Sequence, residues 1–218
     1  MNSALRTPHS SMSRPGYKQT EVGVIPEEWE VVNLECAAGI VDPQPDHRTP
    51  PECTGGDPYI GISDFLDDST INWEASRKII PKAVDKQRAR FQLRSGDIIF
   101  GKIGTIGMPK FVPAPQFRYG LSANVLLLQP KVEPFYLMAW LRSDTFQRAV
   151  NSELHSTSQA AFGINKMRRM LVPTPPPPEQ RAIAEALSDV DGLLDGLDRL
   201  IAKKRDLKQA AMQQLLTG

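Results

Sequence analysis

Pro175-Pro176-Pro177-Pro178-Glu179-Gln180-Arg181-Ala182-Ile183-Ala184 opens the stretch that decides how this chain is organised. Four consecutive prolines withhold their backbone donors and favour polyproline II geometry. They are therefore expected to end whatever precedes them and to hold the next element at a distance. Residues 179–216 contain no proline and only Gly192 and Gly196 as weak breaks, so they are expected to form one helix, about 57 Å long at 1.5 Å per residue. Along it Ile183, Leu187, Val190, Leu194, Leu197 and Ile201 recur at alternating steps of four and three, the period of a coiled-coil seam. Such a seam needs a partner helix.

Charge on the same helix bears on how the partner runs. Glu179, Glu185, Asp189, Asp191, Asp195 and Asp198 fill its first half, and Lys203, Lys204, Arg205 and Lys208 its second, so two copies match when antiparallel. The gradient also complements the helix dipole, and to that extent needs no partner.

Upstream, residues 16–175 read as one α/β or α+β domain. Ile98-Ile99-Phe100 and Val125-Leu126-Leu127-Leu128 are short apolar runs bounded by Gly and Pro, the pattern of buried strands. Pro134 suits a first helical position, and Leu137, Met138, Leu141 and Phe146 follow at helical spacing, which predicts one core-facing helix over 134–148. Residues 1–15 are Ser-rich and polar, and are expected to be a flexible tail of a cytoplasmic protein, neither signal peptide nor membrane span. The expected division is thus 1–15, 16–175 and 176–218, with the last a spacer and dimerisation helix.

A net charge of +1 conceals a split along the chain. Residues 16–74 hold two basic side chains against thirteen acidic, a net −11, and residues 75–169 hold sixteen against five, a net +11. Either one face of the domain meets phosphates, or the acidic half packs against the basic half.

Catalytic motifs are missing. The sequence has no GxxxxGK[ST] phosphate loop, no GxGxxG after a strand, no HExxH and no GxSxG. Cys36 and Cys53 lack CxxC spacing, and His47 would complete a site of at most three scattered ligands, so no metal site is expected. Gly101-Lys102-Ile103-Gly104-Thr105-Ile106-Gly107 admits three readings: an anion loop cradling a nucleotide, a tight hairpin needing positive φ, or a loop touching a DNA backbone. The surrounding basic residues favour the last. A second candidate surface runs from Glu153 through His155, Ser156, Thr157, Ser158 and Gln159 to Phe162, Asn165, Lys166, Arg168 and Arg169, side chains suited to base edges and phosphates. His155 lacks a nucleophile arrangement and is given no catalytic role.

Three segments together resemble the specificity subunits of type I restriction-modification systems. They are Tyr17-Lys18-Gln19-Thr20-Glu21-Val22-Gly23-Val24-Ile25-Pro26-Glu27-Glu28-Trp29; Gly96-Asp97-Ile98-Ile99-Phe100 with Gly104-Thr105-Ile106-Gly107; and Pro176-Pro177-Pro178-Glu179-Gln180-Arg181-Ala182-Ile183-Ala184. The last is similar to that family's junction between target-recognition domain and spacer helix, and is the most specific of the three.

The resemblance implies a subunit without catalysis or cofactor of its own, which reads a short half-site on double-stranded DNA. Chemistry would come from partners: a methyltransferase subunit using S-adenosylmethionine on adenine, and a restriction subunit using ATP and Mg2+. The sequence carries neither a (D/N)PP(Y/F) segment nor a convincing PD…(D/E)xK pattern, in agreement. Typical members hold two recognition domains and two long helices, whereas this sequence holds one of each, so a second copy of the chain is expected to supply the rest. The expected target is an interrupted inverted repeat, with half-sites of roughly three or four bases around a gap of about five to eight. Lys102 and Arg118 are expected at phosphates, Lys110 and Lys166 on the same DNA-binding surface, and His155, Ser158 and Gln159 at base edges. Ile183, Leu187, Val190, Leu194, Leu197 and Ile201 are expected in the dimer seam. The rival readings are a stand-alone DNA-binding regulator or interaction module, and a self-contained nuclease or nucleotide hydrolase using Asp97 and Lys102.

Overall fold

A computed structural model describes residues 15–46, 48–67, 70–113, 118–155 and 161–217. The expected tail before Pro15 and His47 of the three-ligand set therefore lie outside the described residues. A hairpin, β1 (Tyr17–Thr20) and β2 (Gly23–Pro26), is followed by β3 (Glu30–Asn33), the one-turn helix α1 (Leu34–Ala37) and β4 (Ala38–Val41). Next come β5 (Glu52–Ile60), β6 (Arg77–Ile79) and α2 (Pro81–Arg88). Strands β7 (Ile98–Gly101), β8 (Pro109–Phe111), β9 (Gly120–Leu121) and β10 (Val125–Pro130) precede α3 (Pro134–Arg142), α4 (Asp144–His155), α5 (Ile164–Arg169) and β11 (Leu171–Thr174). The 41-residue α6 (Pro177–Thr217) closes the chain.

The two apolar runs lie side by side at the centre of a four-stranded antiparallel sheet ordered β4-β10-β7-β8. Both faces of the two strands are covered, which is why neither shows polar alternation. Ile98, Phe100, Leu126 and Leu128 point to one side, where Leu137, Leu141, Phe146 and Val150 of α3 and α4 meet them. Ile99, Val125 and Leu127 point to the other, against Ile60, Tyr119 and Leu121. The register Leu126↔Phe100 and Leu127↔Ile99 keeps each pair on one face, as the period of two requires. The smaller sheet is ordered β6-β5-β9 and carries α2 through buried Val84 and Gln87. Gln87 closes both hydrogen bonds of the Leu121 backbone, accepting from its N at 2.8 Å and donating to its O at 2.9 Å.

Two local expectations are corrected. The helix expected over 134–148 is two helices, because Ser143 leaves helical geometry at ψ 147° and its Oγ accepts from Phe146 N at 3.2 Å, capping α4. The proline run does not hold α6 away. Pro177 and Pro178 sit in its first turn, where no amide donor is required, and Glu179 N and Gln180 N donate to Pro176 O at 2.9 and 3.1 Å.

From Glu185 to Leu216 every residue of α6 is exposed. The seam side chains Leu194 and Leu197 are each 54% exposed, and Leu193, Leu200 and Leu207 form a further apolar row that the four-three pattern did not include. At 100° per residue the two rows together span about 160° of the helix surface, and nothing among the described residues covers them.

Candidate nucleic-acid interface

The glycine segment is a hairpin loop joining β7 to β8. Gly104 takes a φ of 73°, and a Cβ added to Gly101 would meet the Thr105 carbonyl oxygen at 1.8 Å, so glycine is required at both for different reasons. Four of its amides are used internally: Gly107 N donates to Gly101 O, Ile106 N to Gly104 O, and Lys102 N and Ile103 N to Asn124 O. The loop is thus closed largely by its own backbone, as the tight-hairpin reading requires.

Lys102 faces inward. It is 3% exposed, and its Nζ lies 2.6 Å from Asp42 Oδ2 in the loop after β4. Its carbonyl accepts from Phe162 N at 2.8 Å, so one residue ties the β7 end to two distant segments. This corrects the expectation of an open phosphate contact at Lys102: a buried charge needs its partner more than a solvated one does, and Asp42 supplies it. Lys110 is likewise buried, its Nζ donating to Asp67 O at 3.0 Å and lying 5.7 Å from the centre of the Phe65 ring. Arg118 is partly exposed but bridges two carboxylates, Nε to Asp57 Oδ2 at 2.6 Å and Nη1 to Asp85 Oδ1 at 2.7 Å. Hydrogen bonding to Asp85 and then Asp57 raises its pKa further, and its donation to Asp85 lowers the carboxylate's.

Part of the charge split along the sequence is met within the domain. Arg77–Glu52, Lys86–Asp46, Lys102–Asp42 and Arg118–Asp57 each join the basic stretch to the acidic one. To that extent the acidic half packs against the basic half.

Ser158 and Gln159 lie outside the described residues, and His155 is the last residue of α4, with its side chain also outside them. The residues on either side of that segment are described. On one side Lys166 Nζ donates to Glu153 O at 2.5 Å, tying α5 to the end of α4. On the other, Phe162 is fully buried against Phe100, with ring centroids 5.9 Å apart. Phe162 connects to Lys102, then Asp42, and then Arg90, which donates to Asp42 O at 3.1 Å and Pro43 O at 3.2 Å. Lys82, Lys86, Arg88 and Arg90 are exposed on α2 and immediately after it. The expected DNA-binding residues include none of these four; Lys82, Lys86 and Arg88 cluster on one short helix, which is a signal present in the sequence.

The pair suggested for nuclease chemistry is not assembled. Asp97 and Lys102 stand at opposite ends of β7, and Asp97 Oδ2 accepts from Arg94 N at 2.9 Å and Gln129 Nε2 at 3.1 Å, capping its own turn. Burial pushes the Asp97 carboxyl upward. Among the described residues no group of three His, Cys, Asp or Glu side chains could hold a metal ion, and Cys36 and Cys53 are free thiols.

Residues 26–204, from the end of β2 into the second half of α6, match the Type I restriction modification DNA specificity domain. The chain belongs to that family. Within the family it is 28% identical over 212 residues to the MjaVIII type I restriction enzyme specificity subunit of Methanocaldococcus jannaschii, covering 93% of this chain and 48% of that protein. It is 30% identical over 217 residues to the putative MjaX specificity subunit of the same organism, covering 92% and 48%. The chain thus spans about half the length of the curated relatives it matches. The fold agrees with solved structures. The HsdS subunit from Thermoanaerobacter tengcongensis gives a TM-score of 0.56 at 21% identity over 80% of this chain and 40% of that one. A chain from a structural study of complex assembly and conformational transition of the type I R-M system gives 0.60 at 20% identity over 83% and 42%. No helix among the described residues is long and apolar enough to cross a membrane.

Proposed function

We propose that this chain is the non-catalytic DNA-recognition subunit of a cytoplasmic type I restriction-modification complex, and that it works as a pair. The observation that carries the pairing is the uncovered apolar face of α6, centred on Leu187, Val190, Leu194, Leu197 and Ile201, with half-buried Ile183 at its root. Two such faces bury each other when the helices run antiparallel, which also sets the acidic half of one against the basic half of the other. The pair carries a recognition domain at either end and reads an interrupted inverted repeat. Methyltransferase subunits holding S-adenosylmethionine modify adenine at that site, and restriction subunits holding ATP and Mg2+ join the same assembly; this chain binds neither cofactor.

Within each domain the base-reading residues are His155, Ser158 and Gln159, in the segment between Glu153 and Phe162. Lys166 holds the Glu153 side of that segment through the Glu153 carbonyl. Phosphate contact falls to the exposed face of α2 at Arg88, while Lys102, Lys110 and Arg118 hold the scaffold behind it.

Deletion of the gene for this chain from its host tests the proposal. Adenine methylation at one interrupted motif disappears and returns when the chain is restored; an unaltered methylome contradicts it.

A further inference from the structure

The first two turns of α6 are held to the recognition domain by polar contacts that the apolar pattern gave no reason to expect. Gln180 is 5% exposed. Its Oε1 accepts from Glu133 N at 3.0 Å and its Nε2 donates to Pro175 O at 2.8 Å. Glu133 in turn caps α3, its Oε2 accepting from Tyr136 N at 2.6 Å. One residue earlier, Glu179 Oε2 accepts from Trp29 Nε1 at 3.0 Å, a residue of the turn between β2 and β3. One turn later Ala184 is buried. The strand feeding the helix is fastened too: Tyr136 Oη donates to Pro173 O at 2.7 Å and Trp140 Nε1 to Leu171 O at 3.0 Å.

On the side of the helix and the strand that feeds it, these contacts fall within residues 171–184; from Glu185 to Leu216 every residue of α6 is exposed. The junction is therefore an elbow fixed in several directions at once. The angle matters by simple geometry. A domain of this size has a radius of gyration near 15 Å, so a reading surface about 25 Å from the pivot moves about 4 Å for each 10° of rotation. That exceeds the roughly 3.4 Å rise of one base pair.

We propose that Gln180, together with the Trp29–Glu179 hydrogen bond, is the positioning element that sets the angle between recognition domain and α6, and thereby the number of unread base pairs between the two half-sites. The inference rests on the dimeric reading above. Gln180 touches no DNA; it acts through the direction of the helix.

The test uses the full-length chain with Cys36 and Cys53 replaced by Ser, spin-labelled at S152C on α4 and R199C on α6, and diluted with unlabelled chain. Pulsed electron resonance gives one narrow distance in the parent. Q180M, which leaves Glu133 N and Pro175 O without partners, and W29F broaden or shift it, while a second label pair within the domain, S152C and K82C, stays unchanged. In parallel, sites are selected from a randomised duplex library. The parent selects one gap length; with Q180M its preference over gaps one base pair longer or shorter falls about tenfold, with the half-site sequences unaltered. A narrow, unshifted distance in Q180M, or a gap preference as sharp as the parent's, overturns the inference. Failure of the dimeric reading shows differently, as parent-selected sites that are not inverted repeats, and removes the gap assignment with it.

Discussion

The Lys102 ammonium lies 2.6 Å from the Asp42 carboxylate and joins the end of β7 to the loop after β4. With Lys102 3% exposed, removing either partner leaves a charge stranded in the protein, at a cost of roughly 3–5 kcal/mol. Lys102→Met should lower the melting temperature by roughly 10 °C, followed by circular dichroism, and adding Asp42→Leu should recover part of the loss. A variant that melts like the parent yet binds DNA less tightly would return Lys102 to the phosphate backbone.

Phosphate contacts and base contacts differ in how they fail. Arg88→Ala should weaken binding to all sequences alike and reduce the salt slope by about one, whereas Arg118→Ala, whose guanidinium is already engaged by Asp57 and Asp85, should leave the slope unchanged. Gln159→Ala should relax one base position, and the same position in both half-sites, by about 1–3 kcal/mol of discrimination. Competition binding over a range of salt concentrations separates these outcomes.

Asp97 supplies a pH signature. Burial, the leading cause, raises its folded-state pKa above the unfolded value, so the folded state holds its proton to higher pH. That contribution to stability is complete below the unfolded pKa and is lost as pH rises through the folded one. Asp97→Asn keeps an acceptor for Arg94 N and Gln129 Nε2 but cannot titrate. Denaturant unfolding should therefore show the parent gaining on Asp97→Asn as pH falls through the carboxylate range; a parallel pH dependence would assign the effect elsewhere.

The seam on α6 is tested by replacing Leu194 and Leu197 together with Lys, which would bury unpaired charge between the helices. Light scattering should report a dimer for the parent and monomers for the variant; an unchanged mass would contradict the seam. Circular dichroism should show the recognition domain folded, because residues 185–216 lie outside its core.

The sequence disclosed what is periodic and local. Ile98 to Phe100 and Val125 to Leu128 read as strands because they are buried on both faces, and α6 read as one helix because nothing interrupts it. The break at Ser143 had a local signal, a Ser-Asp pair suited to an N-cap, which helical spacing overrode. The fate of Lys102 had none, because Asp42 stands 60 residues away, and neither did the elbow, whose Trp29 and Glu179 are 150 residues apart. Pairings over such separations are products of the whole fold, so a lysine expected on the surface and one locked inside look alike in sequence. The family resemblance, by contrast, was carried by contiguous segments and was legible at once.

Two copies of this chain reading DNA with the same surface turned in opposite directions would leave a direct record in the methylation of host DNA, measured by single-molecule sequencing. The expected result is one interrupted motif whose two half-sites are reverse complements, with methylated adenine in both and a gap of fixed length. Two unlike half-sites would contradict it and require a second, different specificity chain at the other end.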